Sequence, residues 1–440
     1  MAPRFGSLLL LAAVAGVSGQ TVSDDRTTAT DSTISTTDIT TPTNLYESFA
    51  SQITLSTDLG TTGNVMSSLG TDNITRSTIS SSTSDTVTFL TGSAATTTTI
   101  SGNFSSTSSA IPQVTNTQPC NNYPEFCSRK YSNITHIACH NSPFTTPNNL
   151  AANQQYDVTS QLNDGVRFLQ GQIQWPSGGN EPHFCHTSCD ILDAGPITDW
   201  LGQVKNWVAS HPYDVVTILL GNGNYSTPNL YVPFIEQTGI LRYIYTPPVV
   251  PMALDDWPTL SEMVLKGQRV VMFMDYMANQ TAYPWLLDEF SQLWETPFDP
   301  TDKNFPCTVQ RPPNLAAPDA KNRLYMINHN LNIEISLLGT DMLVPARTEL
   351  NVTNNVTGSG SLGISANNCR SDWGRAPNFL NVDYYNMGGY PGSVFEVAAQ
   401  MNNVTYNRQC CGMATNGAEK LFSNGFIYSL VMMALFWAFL

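Results

Sequence analysis

Between residues 118 and 413, one short apolar run after another ends in a polar side chain, and this regularity constrains the fold more than any other feature. The runs are rich in β-branched residues and alternate with helical patterns, which favours a parallel sheet or barrel. In a (β/α) barrel the C-terminal strand ends meet on one face, where catalytic side chains lie. The sequence therefore predicts an α/β fold with a TIM-like barrel. The polar residues that end the runs are Asn141, Gln172, His186, Asn222, Asp275, Asn328 with His329, and Asp383.

The predicted elements alternate along this region. The predicted strands are 134–138, 166–173, 183–186, 214–220, 269–275, 323–328 and 379–384, and the predicted helices are 151–163, 197–210, 230–237, 259–266, 283–294 and 394–401. A doubly wound sheet is the alternative. It requires a Gly-rich phosphate turn after the first strand, and His140-Asn141-Ser142 is not one.

The chain divides into four segments by composition. Residues 1–19 have the basic start and apolar run of a secretory signal peptide. Residues 20–117 are roughly half Ser and Thr, a composition that cannot bury a core, and are expected to form a disordered, O-glycosylated stalk. Residues 118–413 form the predicted barrel domain, and residues 414–440 the C-terminal signal.

The C-terminal signal predicts a lipid anchor at the cell surface. Small residues around Asn416 precede a short spacer and a terminal apolar run, 427–440, which is the order of a glycosylphosphatidylinositol (GPI) attachment signal. Asn416 is the expected anchor residue, with the tail removed after it, and the protein would then reside on the outer leaflet of the plasma membrane or in the cell wall. A tail-anchored helix is the alternative, although the run is short for a membrane span.

Glycosylation sequons and cysteines both fit a secreted protein. Nine cysteines lie within the barrel domain and none in the stalk, so most are expected to pair and one to remain unpaired. A bridge between Cys185 and Cys189 would fix the loop that carries His186. The sequons are at Asn73, Asn103, Asn133, Asn224, Asn279, Asn351, Asn355 and Asn403.

The charge balance limits the partners. There are 34 acidic and 19 basic residues, a net charge of −15, which argues against nucleic acid or anionic lipid as a partner. A monomer is expected.

Two histidines at strand ends, His140 and His186, indicate acid–base chemistry. The pKa of histidine lies near neutrality, so one imidazole can accept a proton while another donates one. Single histidines at such positions are more often structural. His136 and His183, which lie within the same strand-like runs, are expected to pack in the barrel wall.

At these residues the chain resembles the X domain of phosphatidylinositol-specific phospholipase C and its relatives, the PLC-like phosphodiesterases, especially a secreted, Cys-rich fungal branch. The resemblance implies a distorted barrel, and cleavage of a phosphodiester by a neighbouring hydroxyl. One of His140 and His186 would be the general base and the other the acid, with Asp383 orienting an imidazole. The likeness lies in His140-Asn141-Ser142, Gly165-Val166-Arg167-Phe168-Leu169, His186-Thr187 and Asp383.

The chain departs from the family at the residues that bind Ca²⁺ or stabilise the charge of the phosphate. Metal-dependent relatives have acidic Ca²⁺ ligands where this chain has Gln170 and Gln172, and a further one near Asn222, so no metal and no other cofactor is expected. Metal-free relatives place an Arg where Gln172 stands. Another cation would have to replace it, and Arg167, Lys205 and Arg375 are candidates. The expected substrate-binding residues are Asn141, Gln170, Gln172, Asn222, His329 and Tyr385.

Three functions stay open at this point. The chain is an active, metal-independent phosphodiesterase of lipid metabolism that cleaves a phospholipid or glycophospholipid head group. Alternatively it is a catalytically degenerate barrel that binds a ligand at the surface or serves as a cell-wall glycoprotein. The third possibility is a structural glycoprotein whose barrel is only a scaffold, because fold does not determine function.

Overall fold

The computed structural model describes residues 46, 47, 49, 51–55, 118–337 and 340–412. The signal peptide, most of the predicted stalk and the C-terminal signal with Asn416 lie outside the described residues.

The described strands are β1 (Ile53–Thr54), β2 (His136–Cys139), β3 (Phe168–Gln174), β4 (His183–His186), β5 (Leu192–Pro196), β6 (Val216–Asn222), β7 (Val249–Val250), β8 (Val270–Met274), β9 (Leu286–Asp288), β10 (Leu293–Glu295), β11 (Leu324–Asn328), β12 (Asn332–Leu337), β13 (Thr340–Pro345) and β14 (Phe379–Val382).

Helices follow most of the barrel strands. They are α1 (Val158–Asp164), α2 (Ile197–Ser210), α3 (Val232–Gln237), α4 (Leu260–Lys266), α5 (Glu289–Gln292), α6 (Ala317–Lys321), α7 (Leu350–Thr353), α8 (Leu362–Trp373) and α9 (Ser393–Met401). None of the helices in the described part of the chain is long and apolar enough to cross a membrane.

Parallel strands form one curled sheet in the order β10-β11-β14-β2-β3-β6-β8-β9. The order follows the chain around a circle, so the predicted TIM-like barrel is confirmed. The antiparallel strands β4 and β5 extend the outer end of β3. The hairpin of β12 and β13 follows β11.

The barrel is distorted because its circle is not closed by strand pairing. The two end strands of the sheet, β9 and β10, are joined by the four residues of α5. The edge of β10 pairs instead with a later loop: Glu295 N donates to Arg311 O at 2.8 Å, and Gln310 N donates to Glu295 O at 2.9 Å. We call the gap between β9 and β10 the seam. The pairing with β10 brings the guanidinium of Arg311 to the seam.

A segment that the sequence assigned to the stalk belongs to the folded domain, which corrects the predicted 20–117 boundary. β1 pairs antiparallel with β7, and Gln52 Nε2 donates to Pro251 O at 3.0 Å. The Tyr46 ring lies edge-on to Phe290, with ring centroids 4.8 Å apart, and Leu55 is buried. Unlike the Ser/Thr-rich sequence around it, this segment has aromatic and aliphatic side chains to bury.

Alternate strand residues divide the apolar core into two parts. Phe168, Leu219, Phe273 and Phe379 belong to a cluster that fills the barrel interior. Their strand neighbours belong to a second cluster, which packs against the helices, as the period of two in a strand requires. The interior cluster stops before the C-terminal strand ends, where polar side chains replace it.

Two predicted helices need correction. The first predicted helix, 151–163, begins only at Val158, because the Asp157 side chain accepts from Ser160 N and caps α1. The predicted helix 283–294 is wrong: Leu286–Asp288 and Leu293–Glu295 are buried barrel strands on either side of α5. α2, by contrast, has the predicted boundaries.

Four disulfides and one thiol account for the nine cysteines. The local bridge Cys185–Cys189 is present as predicted, and Cys139 is a buried thiol. The other bridges are Cys120–Cys127, Cys307–Cys369 and Cys410–Cys411.

The sequon asparagines are mostly at the surface. Asn133, Asn224, Asn279, Asn351 and Asn403 are exposed and Asn355 is half-buried, while Asn73 and Asn103 lie outside the described residues.

Candidate active site

The pair formed by His140 and Asp383 is the centre of the site. β2 and β14 pair in a register that sets Cys139 opposite Val382, so the next residues on each strand are neighbours. The His140 Nδ1 atom lies 2.8 Å from Asp383 Oδ1, and both side chains are almost wholly buried. Asn153 Nδ2 donates to the same carboxylate oxygen at 2.9 Å. The carboxylate therefore fixes the orientation of the imidazole.

A buried glutamine holds the two strand ends together. Gln154 Nε2 donates to His140 O at 2.8 Å and to Val382 O at 3.0 Å. On the other side of the imidazole, Asn141 Nδ2 lies 3.2 Å from His140 Nε2. Asn141 is one of the predicted substrate-binding residues, and it lies beside the nitrogen that faces away from Asp383.

Opposing effects determine the proton affinity of His140. Burial by itself lowers the pKa of His140, because an imidazolium loses its solvation. The Asp383 carboxylate acts in the opposite direction and holds the pKa of His140 above its ordinary value, with smaller contributions from Asp299 and Glu295. The His140 imidazole is consequently a stronger base than a free one.

His186 lies on β4, one of the two antiparallel strands that extend β3. It ends β4, and the Cys185–Cys189 bridge closes the turn around it. The Phe144 ring packs edge-on against the His186 ring, with centroids 5.1 Å apart. Burial, and then the charge of His140, lower the pKa of His186 to about 3, so this imidazole is neutral in the free protein.

A network of amides crosses the barrel interior beneath the imidazoles. Asn381 Nδ2 donates to Gln170 Oε1 at 3.1 Å and to Asn328 Oδ1 at 3.0 Å. Asn328 Nδ2 in turn donates to Glu295 Oε2 at 3.2 Å. We call Gln170, Asn381, Asn328 and Glu295 the polar layer. It connects the first strands of the barrel to the seam.

Arg311 joins the polar layer at the seam, and the sequence did not reveal it. Its Nε and Nη2 atoms donate to Glu295 Oε2 at 2.8 Å and 2.5 Å. Nη1 donates to the Tyr276 hydroxyl at 3.3 Å. The guanidinium also lies 3.9 Å from the centroid of the Phe298 ring. Arg311 is buried, so it brings a cation into the interior.

Several further carboxyl groups surround this cation. Asp275 Oδ1 accepts from Asn222 N and Tyr276 N, each at 2.7 Å, and burial raises the pKa of Asp275 to about 6. Burial, and then the Glu295 carboxylate, raise the pKa of Glu289. Burial also raises the pKa of Asp299. Acids thus outnumber the cation around the seam.

The residues that make up this site lie within a known family match. A family model described as PI-PLC X 1 matches residues 126–402, which is more than half of the chain. The chain belongs to the PI-PLC X family. The resemblance seen in the sequence is confirmed.

Relatives extend over most of the barrel domain. A protein of Arthroderma benhamiae named "Uncharacterized secreted protein" is 53% identical, with 72% of each chain covered. A protein of the same organism named PI-PLC X domain-containing protein 1 is 40% identical, over 64% of this chain and 89% of that protein. A solved structure of phosphatidylinositol-specific phospholipase C from Listeria monocytogenes aligns with a TM-score of 0.43 and 12% identity, over 64% of this chain and 96% of that chain.

Within this PI-PLC X domain, the structure brings some predicted site residues together and not others. His140, Asp383, Asn141 and Gln170 converge. Gln172 lies near them and accepts from Gln174 Nε2 at 3.1 Å.

Three other predicted substrate-binding residues have their side chains engaged elsewhere, and a substrate-binding role is not carried forward for them. Asn222 Nδ2 donates to Ser226 O at 2.7 Å and to Tyr276 O at 3.0 Å. The buried His329 ring packs on Phe305, and burial lowers the pKa of His329 to about 3. The Tyr385 hydroxyl donates to Asp164 Oδ2 at 2.5 Å.

The three cations proposed from the sequence do not lie at the C-terminal strand ends. Arg167 Nη2 donates to Asp214 Oδ1 at 2.7 Å, near the opposite, N-terminal end of the barrel. Lys205 lies in the exposed face of α2. Arg375 Nη1 donates to Asn378 Oδ1 at 2.9 Å, just before β14. The correction follows from strand direction, since residues before a barrel strand cannot reach its C-terminal end.

The positions that bind Ca²⁺ in metal-dependent relatives hold neutral amides here. Gln170 and Gln172 offer carbonyl oxygens without charge, and Ca²⁺ prefers several carboxylates. Elsewhere among the described residues, Asp164, Cys410 and Cys411 come together, but these cysteines are bonded to each other and supply no thiolate.

The two imidazoles should titrate far apart. By ¹⁵N NMR, His140 should titrate above the ordinary range, and His186 should stay neutral down to about pH 3. In Asp383→Asn the carboxylate charge is removed while burial remains, so the pKa of His140 should fall below its ordinary value. Asp193→Asn, which removes the partner 2.8 Å from His183 Nδ1, is the control and should leave His140 unchanged. An unchanged His140 titration in Asp383→Asn would contradict this electrostatic assignment.

Proposed function

We propose that the protein is a PLC-type phosphoric diester hydrolase or lyase that cleaves the head group of a phospholipid or glycophospholipid. The observation that carries the proposal is the buried contact between His140 and Asp383. A second, neutral imidazole, that of His186, is close enough for the charge of His140 to lower its pKa. Two histidines, one of them oriented by a carboxylate, are what general acid–base catalysis requires.

His140 is the proposed general base. Asp383 accepts the Nδ1 proton, so the lone pair of the imidazole is on Nε2, where the Asn141 amide donates to it in the free protein. The substrate hydroxyl would take the place of that amide. Nε2 takes the proton of a substrate hydroxyl next to the phosphate, and the oxygen of that hydroxyl forms a bond to phosphorus. The bond from phosphorus to the leaving oxygen breaks, and that oxygen takes a proton from His186. The products are a cyclic phosphodiester and an alcohol, and water can open the ring by the reverse proton transfers.

His186 has to be protonated to serve as the acid. Its pKa of about 3 belongs to the free protein, where burial is the main cause and the charge of a protonated His140 adds to it. When His140 is neutral, as the base must be, only burial disfavours the protonated form of His186. A bound phosphodiester brings a negative charge next to the imidazole, which raises its proton affinity. Substrate binding and proton uptake are therefore coupled in this proposal.

Arg311 is the proposed source of positive charge for the phosphate. Its guanidinium is fixed by Glu295 and Tyr276, so it needs no reorganisation during the reaction. Amide donors of the polar layer can add to the stabilisation. Glu295 reduces the net charge that the phosphate meets, and this compensation is the observation that favours the alternative of a barrel that binds a ligand without turnover.

Removing either imidazole should distinguish these functions. With a phosphatidylinositol and phospholipid panel, His140→Ala and His186→Ala should each lower turnover by roughly 10²–10⁴-fold. The double variant should lose far less than the product, because both act on one proton-transfer path. His211→Ala, which removes an imidazole stacked on Trp207, is the control. Full turnover in a folded His140→Ala protein would refute the assignment, and no turnover in the unaltered protein would favour the binding alternative.

Variants at the seam should change phosphate affinity in opposite directions. Arg311→Lys keeps the charge but loses the fixed fork of donors, so turnover should fall by roughly 10²-fold and competitive inhibition by inorganic phosphate should weaken. Glu295→Gln removes the compensating charge, so the same inhibition should strengthen. Arg375→Lys, which alters a half-buried guanidinium outside the site, should change neither. Parallel changes in Arg311→Lys and Glu295→Gln would contradict the role of Arg311.

Activity should not require Ca²⁺. Gln170 and Gln172 provide no carboxylate at the positions where metal-dependent relatives bind the ion, so treatment with EDTA should leave turnover within about twofold. Added Ca²⁺ should have an equally small effect on the treated protein. Loss of turnover in EDTA that Ca²⁺ restores would show that this interpretation of the amides is wrong.

We also propose that the protein is extracellular and attached to the cell surface by a lipid. A relative carries the name of a secreted protein, and the sequence predicts a signal peptide over residues 1–19 and a GPI attachment signal around Asn416.

A GPI-cleaving lipase should therefore release the protein from intact cells. A variant without residues 427–440 should appear in the medium without that treatment, because it lacks the attachment signal. Retention of the unaltered protein after lipase treatment, with the C-terminal run still present by mass spectrometry, would favour the tail-anchored alternative.

A further inference from the structure

A cavity of about 380 Å³ lies between the N-terminal segment 46–55 and the barrel, next to β9. Its volume is within the range of small-molecule sites. Its wall combines apolar and polar side chains from both the segment and the barrel. These side chains include Phe49, Ile53, Leu55, Val250 and Met277.

Two buried polar groups without partners also line the cavity. Asp288 and Gln280 are 2% and 5% exposed. Asp288 Oδ2 accepts from Ser291 N at 2.7 Å, while Oδ1 has no hydrogen-bond partner among the described residues. Gln280 Oε1 accepts from Asp288 N at 3.0 Å, which fixes the amide orientation and leaves Nε2 similarly unpaired.

One unpaired acceptor and one unpaired donor define the ligand chemistry. A buried polar group without a partner is costly, so a ligand that pairs with both atoms gains free energy. A single hydroxyl can donate to Asp288 Oδ1 and accept from Gln280 Nε2. A carboxylate is disfavoured, because the described lining residues include two acids, Glu47 and Asp288, and no Lys, Arg or His.

The cavity lies outside the barrel wall and not in its mouth. Leu287 belongs to the interior apolar cluster, and Leu286 belongs to the cluster that packs against the helices. Successive strand residues point to opposite faces, so Asp288 points to the same side as Leu286. At β9 the cavity therefore lies against the outer face of the barrel, opposite to the face of Leu287.

We propose that this cavity binds the hydroxyl end of a neutral amphipathic alcohol, whose apolar body lies along the N-terminal segment. Asp288 and Gln280 recognise the hydroxyl, and Ile53, Leu55 and Met277 contact the apolar body. The proposal does not depend on the catalytic function, because it concerns a site on the other side of the barrel wall.

Calorimetric titration of the full secreted protein tests the ligand class. The probes are 1-octanol, methyl octyl ether and sodium octanoate, which share an apolar chain and differ in the head group. 1-Octanol should bind saturably, with one molecule per chain. The ether should bind roughly tenfold more weakly, because it cannot donate to Asp288, and octanoate at least as weakly as the ether. Equal affinities for the three probes, or no saturable binding of 1-octanol, would overturn the proposal.

Variants identify the cavity as the place of binding. Asp288→Asn keeps the cap of α5 but turns an amide donor into the cavity, so 1-octanol should bind roughly tenfold more weakly and its preference over octanoate should shrink. Asp255→Asn, at an exposed acid, is the control. Ile53 lines the cavity and is exposed, so Ile53→Gln should not disturb the fold. This variant should also weaken the binding of 1-octanol. Leu265→Gln, at an exposed leucine of α4, should not. Unchanged affinity in both Asp288→Asn and Ile53→Gln would place binding elsewhere and refute the proposal.

The glycosylation sequon at Asn279 requires a separate experiment. Its residues, Asn279, Gln280 and Thr281, all line the cavity. An attached sugar also presents hydroxyl groups. In Asn279→Gln, which cannot be glycosylated, 1-octanol affinity should be the same as in the unaltered protein. Binding that appears only in Asn279→Gln would show that the glycan fills the cavity, and this result would overturn the proposal of a free alcohol.

Discussion

The parallel pairing of β2 with β14 is the constraint on which the site depends. These strands come from the beginning and the end of the domain, and their register places His140 and Asp383 side by side at the same depth. A slip by one residue would point one of the two side chains to the outer face of the barrel. Gln154 bonds to the backbone of both strand ends, so the contact of imidazole and carboxylate is fixed from outside the sheet as well.

The polar layer shows how a buried site can be highly polar with little net charge. Arg311 is surrounded by Glu295, Glu289 and Asp275, while amides connect Glu295 to Gln170 on β3. Such an interior stabilises charge mainly through oriented dipoles, which cost no rearrangement when charge develops in a reaction. The raised pKa values of Asp275 and Glu289 have the same origin, since burial disfavours further negative charge there. A phosphodiester would meet a site already arranged around balanced charges.

The sequence predicts the barrel and the centre of the site well, because both depend on local patterns. α2 has an apolar face with strong periodicity and clear ends, and its boundaries agree with the structure. The seam could not be predicted. β9 and β10 have three residues each and are buried on both faces, so Leu286, Leu287, Leu293 and Trp294 have the spacing of a helix and show no alternation.

That error also concealed Arg311, whose partner Glu295 ends β10, a strand that begins inside the mispredicted helix 283–294. Asn153 and Gln154 were missed for a similar reason. They precede the cap of α1 and lie in an extended segment that the pattern assigns to a helix. Their role is visible only in three dimensions, because the groups they contact are the backbone of β14 and a carboxylate about 230 residues further along the chain.

The open seam has a consequence for where the domain begins. The family match starts at residue 126, yet Tyr46 packs on Phe290 beside the seam and β1 pairs with β7. During synthesis, Tyr46 and β1 leave the ribosome well before Phe290 and β7, against which they pack. A fragment trimmed to the family match would therefore expose apolar surface around Phe290 and Val250. Expression of the intact unit needs a start upstream of Tyr46, within sequence that composition alone would discard as linker.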